Sequence, residues 1–405
     1  MNLDLMRSID YYVGILICFF LTIFDKIFGS FILRRKENKQ KNILFIQLAE
    51  MGSTILAYSS FKKIKEIYPD SNLFFLVFHK NRYCIEYLNV IKKENILTIR
   101  EDSFSVFALD TFKVLLKLRR KKIDICFDFE FFSRFSSIVS YLSGAIRRVG
   151  FYNYYHEGLY RGNMLTHKVY YNHYQHMVLN FLSMIHSVRY SGKEDYLLKE
   201  KISEKEIILP EIKITEESKK NIWNKLKELN PKINSDKKLV VINPYAGELL
   251  PIRSWPIDNY INLIRKLLDD KNIFIILTGG NDSKKWQNKI LNEISSNRII
   301  TLVGKTTFSE LIDLYNISDV LITNDSGPVH FASLTPIKIF VFFGPGGLIY
   351  KPLSKTAKVF YSGLSCSPCL TDLNHGETSC KDNKCLRTIS PEEVYMEISN
   401  YLNKK

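Results

Sequence analysis

From residue 42 onward, apolar runs of strand length alternate with stretches in which apolar side chains recur every three or four positions. That alternation predicts parallel sheets covered by helices, because a strand buried on both faces reads as a continuous apolar run and a helix shows one apolar stripe. Strands are expected at 43–48, 73–78 and 123–127 in a first unit, and at 239–242, 273–277, 299–302, 320–323 and 338–343 in a second. After the first strand, Ala57, Phe61, Ile64 and Tyr68 mark one face of a helix that stops before Pro69, and residues 114–118 fall in a basic helix. Between the units, residues 201–237 are rich in Lys, Glu and Asn, carry Pro210 and Pro231, and read as a linker with a solvated helix. The expected fold class is α/β. Two doubly wound, Rossmann-like domains, at 42–200 and 238–405, would face each other across a cleft, with ligand at the carboxyl ends of the strands.

Residues 1–41 break the pattern. The stretch 11–24 is free of charge, Asp25 and Lys26 interrupt it, and an apolar stretch resumes before Arg34, Arg35 and Lys36. The uncharged part is shorter than the roughly 20 residues a spanning helix needs, although all of 11–33 would suffice with Asp25 and Lys26 near an interface. A spanning anchor, an interfacial helix and a buried helix of the globular body all remain open. A cleaved signal peptide is disfavoured: Asp4 and Asp10 precede the apolar run and no small-residue cleavage site follows. The basic flank, with Lys39 and Lys41, keeps the remainder on the cytoplasmic face of the inner membrane.

Composition changes the picture only modestly. At 405 residues, 46% hydrophobic and 24% charged, the chain is a folded globular protein large enough for two cores. Its net charge of +15 favours an anionic partner: nucleic acid, a phosphorylated metabolite or an anionic membrane surface. No nucleic-acid recognition motif accompanies the charge, so nucleic acid is set aside.

Candidate chemistry lies at the strand ends. Asn324-Asp325-Ser326-Gly327 follows the 320–323 strand and precedes Pro328, a residue suited to the first helical position. Such a turn presents free backbone N–H groups to a phosphate; the plainer reading is that Asp325 or Ser326 caps a short helix. Asn243-Pro244-Tyr245-Ala246-Gly247, Thr278-Gly279-Gly280 and Gly344-Pro345-Gly346-Gly347 end three other strands, where a nucleotide would lie. Arg253, just before Trp255-Pro256, supplies a fixed positive charge suited to a diphosphate.

This ordered set resembles glycosyltransferase family 9, the lipopolysaccharide heptosyltransferases, across nearly all of residues 42–403. The resemblance rests on ILFIQLAEMGSTILAYSSFKKIKEIYP at the front, RRVGF at 147–151, NPYAG and RSWP within 243–256, and above all on residues 302–347. It implies a GT-B fold and an inverting, metal-independent transfer of a sugar from a nucleotide donor, usually ADP-heptose, to a lipid-linked acceptor. By that resemblance the second unit binds the donor, with Asp325, Ser326 and Gly327 at the phosphates, Arg253 assisting and His330 matching the family's histidine. Inversion also requires a carboxylate to take a proton from the acceptor hydroxyl. A protein that kept the fold and lost this base, and a nucleotide-sugar epimerase of the same fold, are the competing readings.

The family's carboxylate is an aspartate directly after Met-Gly. Here Leu48-Ala49-Glu50-Met51-Gly52-Ser53 puts Ser53 at that position. Serine is no base at neutral pH without activation, so Glu50 is the expected substitute, with Ser53 alternatively an N-cap. Glu130 and Asp128, after the 123–127 strand, are the reserve candidates. Cys18, Cys84 and Cys126 are isolated and read as small apolar residues, whereas Cys366, Cys369, Cys380 and Cys385 have spacing compatible with a structural metal, or with four plain thiols. The aromatic and histidine-rich stretch 151–176, interleaved with Arg161 and Lys168, reads either as an acceptor groove or as a partly buried loop.

Overall fold

The computed structural model describes residues 3–32, 36–131, 133–152, 159–190, 198–247, 250–371 and 378–404. The chain divides into two compact units, Met1–Ile208 and Leu209–Thr371 with the C-terminal segment.

The first unit holds a sheet of β1 (Asn42–Ile46), β2 (Asn72–Phe78), β3 (Ile96–Ile99), β4 (Ile125–Asp128), β5 (Arg147–Tyr152) and β6 (His167–Tyr170). Its order is β3-β2-β1-β4-β5-β6 and every pairing is parallel. The second unit repeats the plan with β7 (Lys238–Asn243), β8 (Ile273–Leu277), β9 (Ile299–Thr301), β10 (Val320–Asn324), β11 (Lys338–Phe343) and β12 (Ala357–Tyr361), in the order β12-β11-β10-β7-β8-β9, again all parallel. In each sheet the chain winds one way from a central first strand and returns to wind the other way, so the direction reverses between β1 and β4 and between β7 and β10.

The buried strand interiors explain why these runs were readable. Phe45, fully buried in β1, stacks on Phe127 at 5.1 Å and meets Phe61 edge-on at 4.9 Å. The helix after β1 forms as two segments, Met51–Leu56 and Tyr58–Ile67, and buries Ala57, Phe61 and Ile64 as its spacing requires. The linker helix, Glu216–Leu229, buries only Ile222 and Leu226. β3, β5, β6 and β12 were not anticipated. β3 and β12 are half-exposed, and β5 opens with two arginines that pattern reading takes for a loop. Arg148 is nonetheless buried, its charge spread over the carbonyls of Met164 at 2.6 Å and Ala145 at 3.0 Å.

The N-terminal segment is one helix, Leu3–Ile32, apolar and long enough at Leu5–Gly29 to cross a membrane by length and composition. It packs against the helix Arg134–Leu142 of the first unit. Asp10 accepts from the backbone N–H of Phe135 at 2.8 Å and of Arg134 at 3.1 Å, placing a carboxylate on that helix's positive end. Asp25 pairs with Arg148 at 3.4 Å. Gly162, in the left-handed region at φ +75°, lets its loop close against the helix, where a Cβ would press on Thr22 and the Cys18 carbonyl. Of the three readings left open, a helix buried wholly in the globular body is not what the fold shows: only one of its faces is covered.

Candidate functional site

In the second unit the reversal falls between β7 and β10, paired through Asn243 and Thr323, and a doubly wound sheet opens its ligand crevice at such a point. Beyond β10 a turn leads into the short helix Gly327–Ala332, with Pro328 in its first turn. Buried Asn324 ties that turn to the preceding loop: its Oδ1 accepts from the Trp255 N–H at 2.7 Å and the Tyr260 hydroxyl at 3.1 Å. Trp255 is itself fixed, fully buried and donating its indole N–H to the Ile389 carbonyl at 3.1 Å. The result carries Arg253 alongside Asp325, with Nη1 3.6 Å from Oδ2, and leaves the buried Arg253 Nε without a partner among the described residues. The loop after β11 closes so tightly on this pair that a Cβ on Gly346 would overlap the Asp325 carboxylate. A guanidinium with a donor to spare, approached over a glycine, is suited to binding an oxyanion.

No side chain caps the helix Gly327–Ala332; the Ser326 hydroxyl donates instead to the Asn324 carbonyl at 3.3 Å. The capping alternative for Ser326 is therefore not what the fold uses. The helix is only six residues long, so its dipole is slight and Arg253 is the stronger source of positive potential. A Cβ on Gly327 would press on the Phe331 ring at 3.0 Å. His330 is buried within the helix. Tyr245 lies at the end of β7 against Trp286, ring centroids 5.5 Å apart, and Gly247 adopts φ +95° with open space where a Cβ would be. Thr278 is fully buried and Gly279 adopts φ +150°, both at the end of the adjacent β8. Sequence reasoning missed Asn324, Gly346 and Trp286 as individuals. The clustering of small and polar residues at the strand ends hinted at the first two, whereas Trp286 lies in the helix Lys284–Glu293.

In the first unit the reversal falls between β1 and β4, paired through Ile46 and Asp128. Glu130, just past β4, accepts at one oxygen from the N–H of Leu48 and, at 3.2 Å, of Ala49. Buried Asn81 holds the same loop from the other side, donating to the carbonyls of Leu48 at 3.1 Å and Ala49 at 2.9 Å. Glu50 follows this clamped segment, exposed, and receives the buried Ser53 hydroxyl on Oε2 at 2.5 Å. Ser53 lies inside the helix Met51–Leu56 and does not cap it. Burial raises the Glu130 carboxyl to about 7, the nearby Glu50 charge adds to the rise, and the two backbone N–H groups oppose it. Asp128 is fully buried and committed to Arg161 and to the Ser136 hydroxyl, so it is not a free base. Burial raises its carboxyl and Arg161 offsets part of that rise.

At the ends of β2 and β3 a cavity of about 350 Å³ is lined by His79, Thr98, Arg100, Asp110, Lys113 and Val114. Arg100 grips Asp110 through two N–H groups at 2.8 and 2.9 Å, which lowers the carboxyl to about 2, with the Lys113 charge adding to the effect. In the stretch 151–176, Tyr171 is buried against Phe131 and Phe151, while Tyr174 is almost fully exposed; residues 153–158 lie outside the described residues.

Of the two readings of the four cysteines, the structural metal finds no support. Among the described residues no three His, Cys, Asp or Glu side chains gather as a metal site. Cys366 and Cys380 are exposed, whereas Cys385 turns into the second unit's core, where burial pushes its thiol up and disfavours the thiolate a metal needs. Cys18, Cys84 and Cys126 are buried, as small apolar residues should be.

Two doubly wound sheets, each with polar groups gathered at its reversal point, define an α/β protein of the GT-B fold class. The sequence matches the family described as glycosyltransferase family 9 (heptosyltransferase) over residues 111–378, more than half its length, and the chain belongs to that family. Lipooligosaccharide heptosyltransferase 2 of Campylobacter jejuni is 28% identical over 189 residues, 44% of this chain and 56% of that protein. The chain thus spans about half the length of the curated relatives it matches. Among solved structures, the Escherichia coli ADP-heptose lipopolysaccharide heptosyltransferase II aligns with a TM-score of 0.67 at 19% identity, covering 90% of this chain and 99% of that one. The family 9 glycosyltransferase of Veillonella parvula aligns with a TM-score of 0.68 at 18% identity, covering 91% and 99%. Both share the fold.

Proposed function

We propose that this chain is an inverting glycosyltransferase that moves a heptose, or a related sugar, from ADP-heptose to a lipid-linked glycan such as a lipopolysaccharide core. The observation that carries the reading is Arg253, clamped beside Asp325 and Gly346 at the β7/β10 reversal with a buried N–H to spare, in a chain of family 9. The departing nucleoside diphosphate gains negative charge as the glycosyl bond breaks. Arg253 and the N–H groups of the 325–327 turn stabilise that charge without reorganising. Tyr245 and Trp286 offer the base an aromatic wall. Glu50 removes the acceptor's proton, held in place by the Ser53 hydroxyl, and Glu130 fixes the loop that presents it. Lys113, in the cavity at the ends of β2 and β3, meets anionic groups of the acceptor. The protein works at the cytoplasmic face of the inner membrane, which the basic flank of the N-terminal helix supports.

Incubating purified chain with a panel of nucleotide sugars and a lipid extract, followed by mass spectrometry, reads the reaction directly. ADP-heptose should be consumed and the lipid should gain one heptose; a chain that neither binds nor consumes ADP-heptose refutes the donor. Arg253→Ala should weaken ADP binding by about 10- to 100-fold, from the roughly 1.5–3 kcal/mol of a charged hydrogen bond. Calorimetric titration measures it.

A further inference from the structure

The helix Leu3–Ile32 is built inside out. The face turned to the first unit carries Asp10, Gly14, Cys18, Thr22, Asp25 and Gly29, one residue in each turn, and these are small or polar. They make specific contacts along the whole length: Asp10 on Arg134 and Phe135, Gly14 against the Arg134 side chain, Thr22 accepting from the Asn163 N–H at 2.9 Å, and Asp25 on Arg148. The opposite face is apolar throughout. Leu16 and Ile27 are 59% exposed and Phe20 64%, with Tyr12, Phe19, Ile23, Phe24 and Phe28 around them. Water is the wrong solvent for that face.

What covers it follows from charge and from length. Arg7 and Lys26, exposed near the two ends, frame the apolar face with cations, and Asp10 and Asp25 point away from it. The helix Phe104–Lys121 borders the same core cluster, in which Met6 packs with Phe107 and Leu115. It exposes Phe104, Leu109, Phe112 and Leu116 and ends in Arg119, Arg120 and Lys121. Apolar side chains ringed by cations, on a chain of net charge +15, match the hydrocarbon and phosphates of an anionic bilayer. A crossing orientation conflicts with the contacts. The helix is roughly 45 Å long at 1.5 Å per residue, and it is docked from Asp10 to Asp25. To span, it would have to leave Arg134 and Arg148 behind or drag both buried arginines into hydrocarbon.

We propose that the helix Leu3–Ile32 lies flat in the surface of an anionic bilayer, its outer face in the lipid and its polar face on the first unit, and does not cross the membrane. The inference concerns attachment and is read without turnover, so it can fail while the transfer reaction stands, and the reverse.

Two experiments decide it. In the first, full-length Arg7→Cys is expressed in cells, and spheroplasts are treated with a membrane-impermeant maleimide before and after lysis, with peptide mapping of position 7 and of the exposed Cys366. Both positions should behave alike; labelling of one in intact spheroplasts and of the other only after lysis shows a spanning helix and overturns the proposal. In the second, purified chain is floated with phosphatidylcholine vesicles with and without phosphatidylglycerol. The parent should float, more completely with the anionic lipid, and Leu16→Glu with Phe20→Glu should abolish flotation while the melting temperature and ADP binding stay unchanged. A parent chain that forms dimers and ignores vesicles, or a double variant that floats as before, refutes lipid as the occupant.

Discussion

Glu50 carries a hydroxyl already hydrogen-bonded to it, because Ser53 occupies the place one helical turn on and donates at 2.5 Å. If Glu50 takes the acceptor's proton, Glu50→Gln should cut kcat by about 100-fold or more and leave ADP affinity unchanged, which paired turnover and titration measurements check. Glu130 makes a different prediction. Its carboxyl sits at about 7 in the fold against an ordinary 4.5, so between those values the folded chain holds a proton that the unfolded chain has released. Its contribution is complete below pH 4.5 and disappears as pH rises to 7. Urea midpoints at pH 5 and pH 7.5 should therefore differ less in Glu130→Gln than in the parent. Glu50 and Ser53 were candidates in the sequence because the family resemblance marks the residue after Met-Gly, where Ser53 stands, and Glu50 is the carboxylate three residues before it. Glu130 could only be a reserve candidate there, since its burial depends on β4 pairing with β1, some eighty residues away in the chain.

Among the elements, the loop after β11 sets the tightest constraint on the proposed donor site. Gly346 leaves no room for a methyl group beside Asp325, so Gly346→Ala should displace the carboxylate or Arg253 and weaken ADP binding by about tenfold, consistent with the roughly 1–3 kcal/mol that overpacking costs. Titration against the parent checks it. The continuous apolar runs marked eight strands because burial on both faces removes polar residues from them. The strands that escaped are short, half-exposed or begin with arginine: β3 buries alternate residues only, and β5 needs Arg148 inside, a choice legible only once the carbonyls that receive it are in place. The glycine and proline turns at the strand ends were equally plain, whereas Asn324 looked like one more polar turn residue until Trp255 and Tyr260 converged on it.

For the whole molecule, composition announced an apolar N-terminal segment and a basic chain, but not which face of that segment meets protein. The answer lies in Asp10, which precedes the hydrophobic run, and Asp25, which interrupts it: these are the residues that fasten it. Deleting residues 1–36 should lower the melting temperature by more than about 5 °C in scanning calorimetry, because Arg134 and Arg148, each 4% exposed, would lose their carboxylates and the Ile138, Tyr141 and Met164 cluster would lose Cys18. The stretch that breaks the pattern of the sequence is thus a beam of the domain it precedes. Proteolytic clipping behind it would release a looser, stickier body and not a soluble version of the same one.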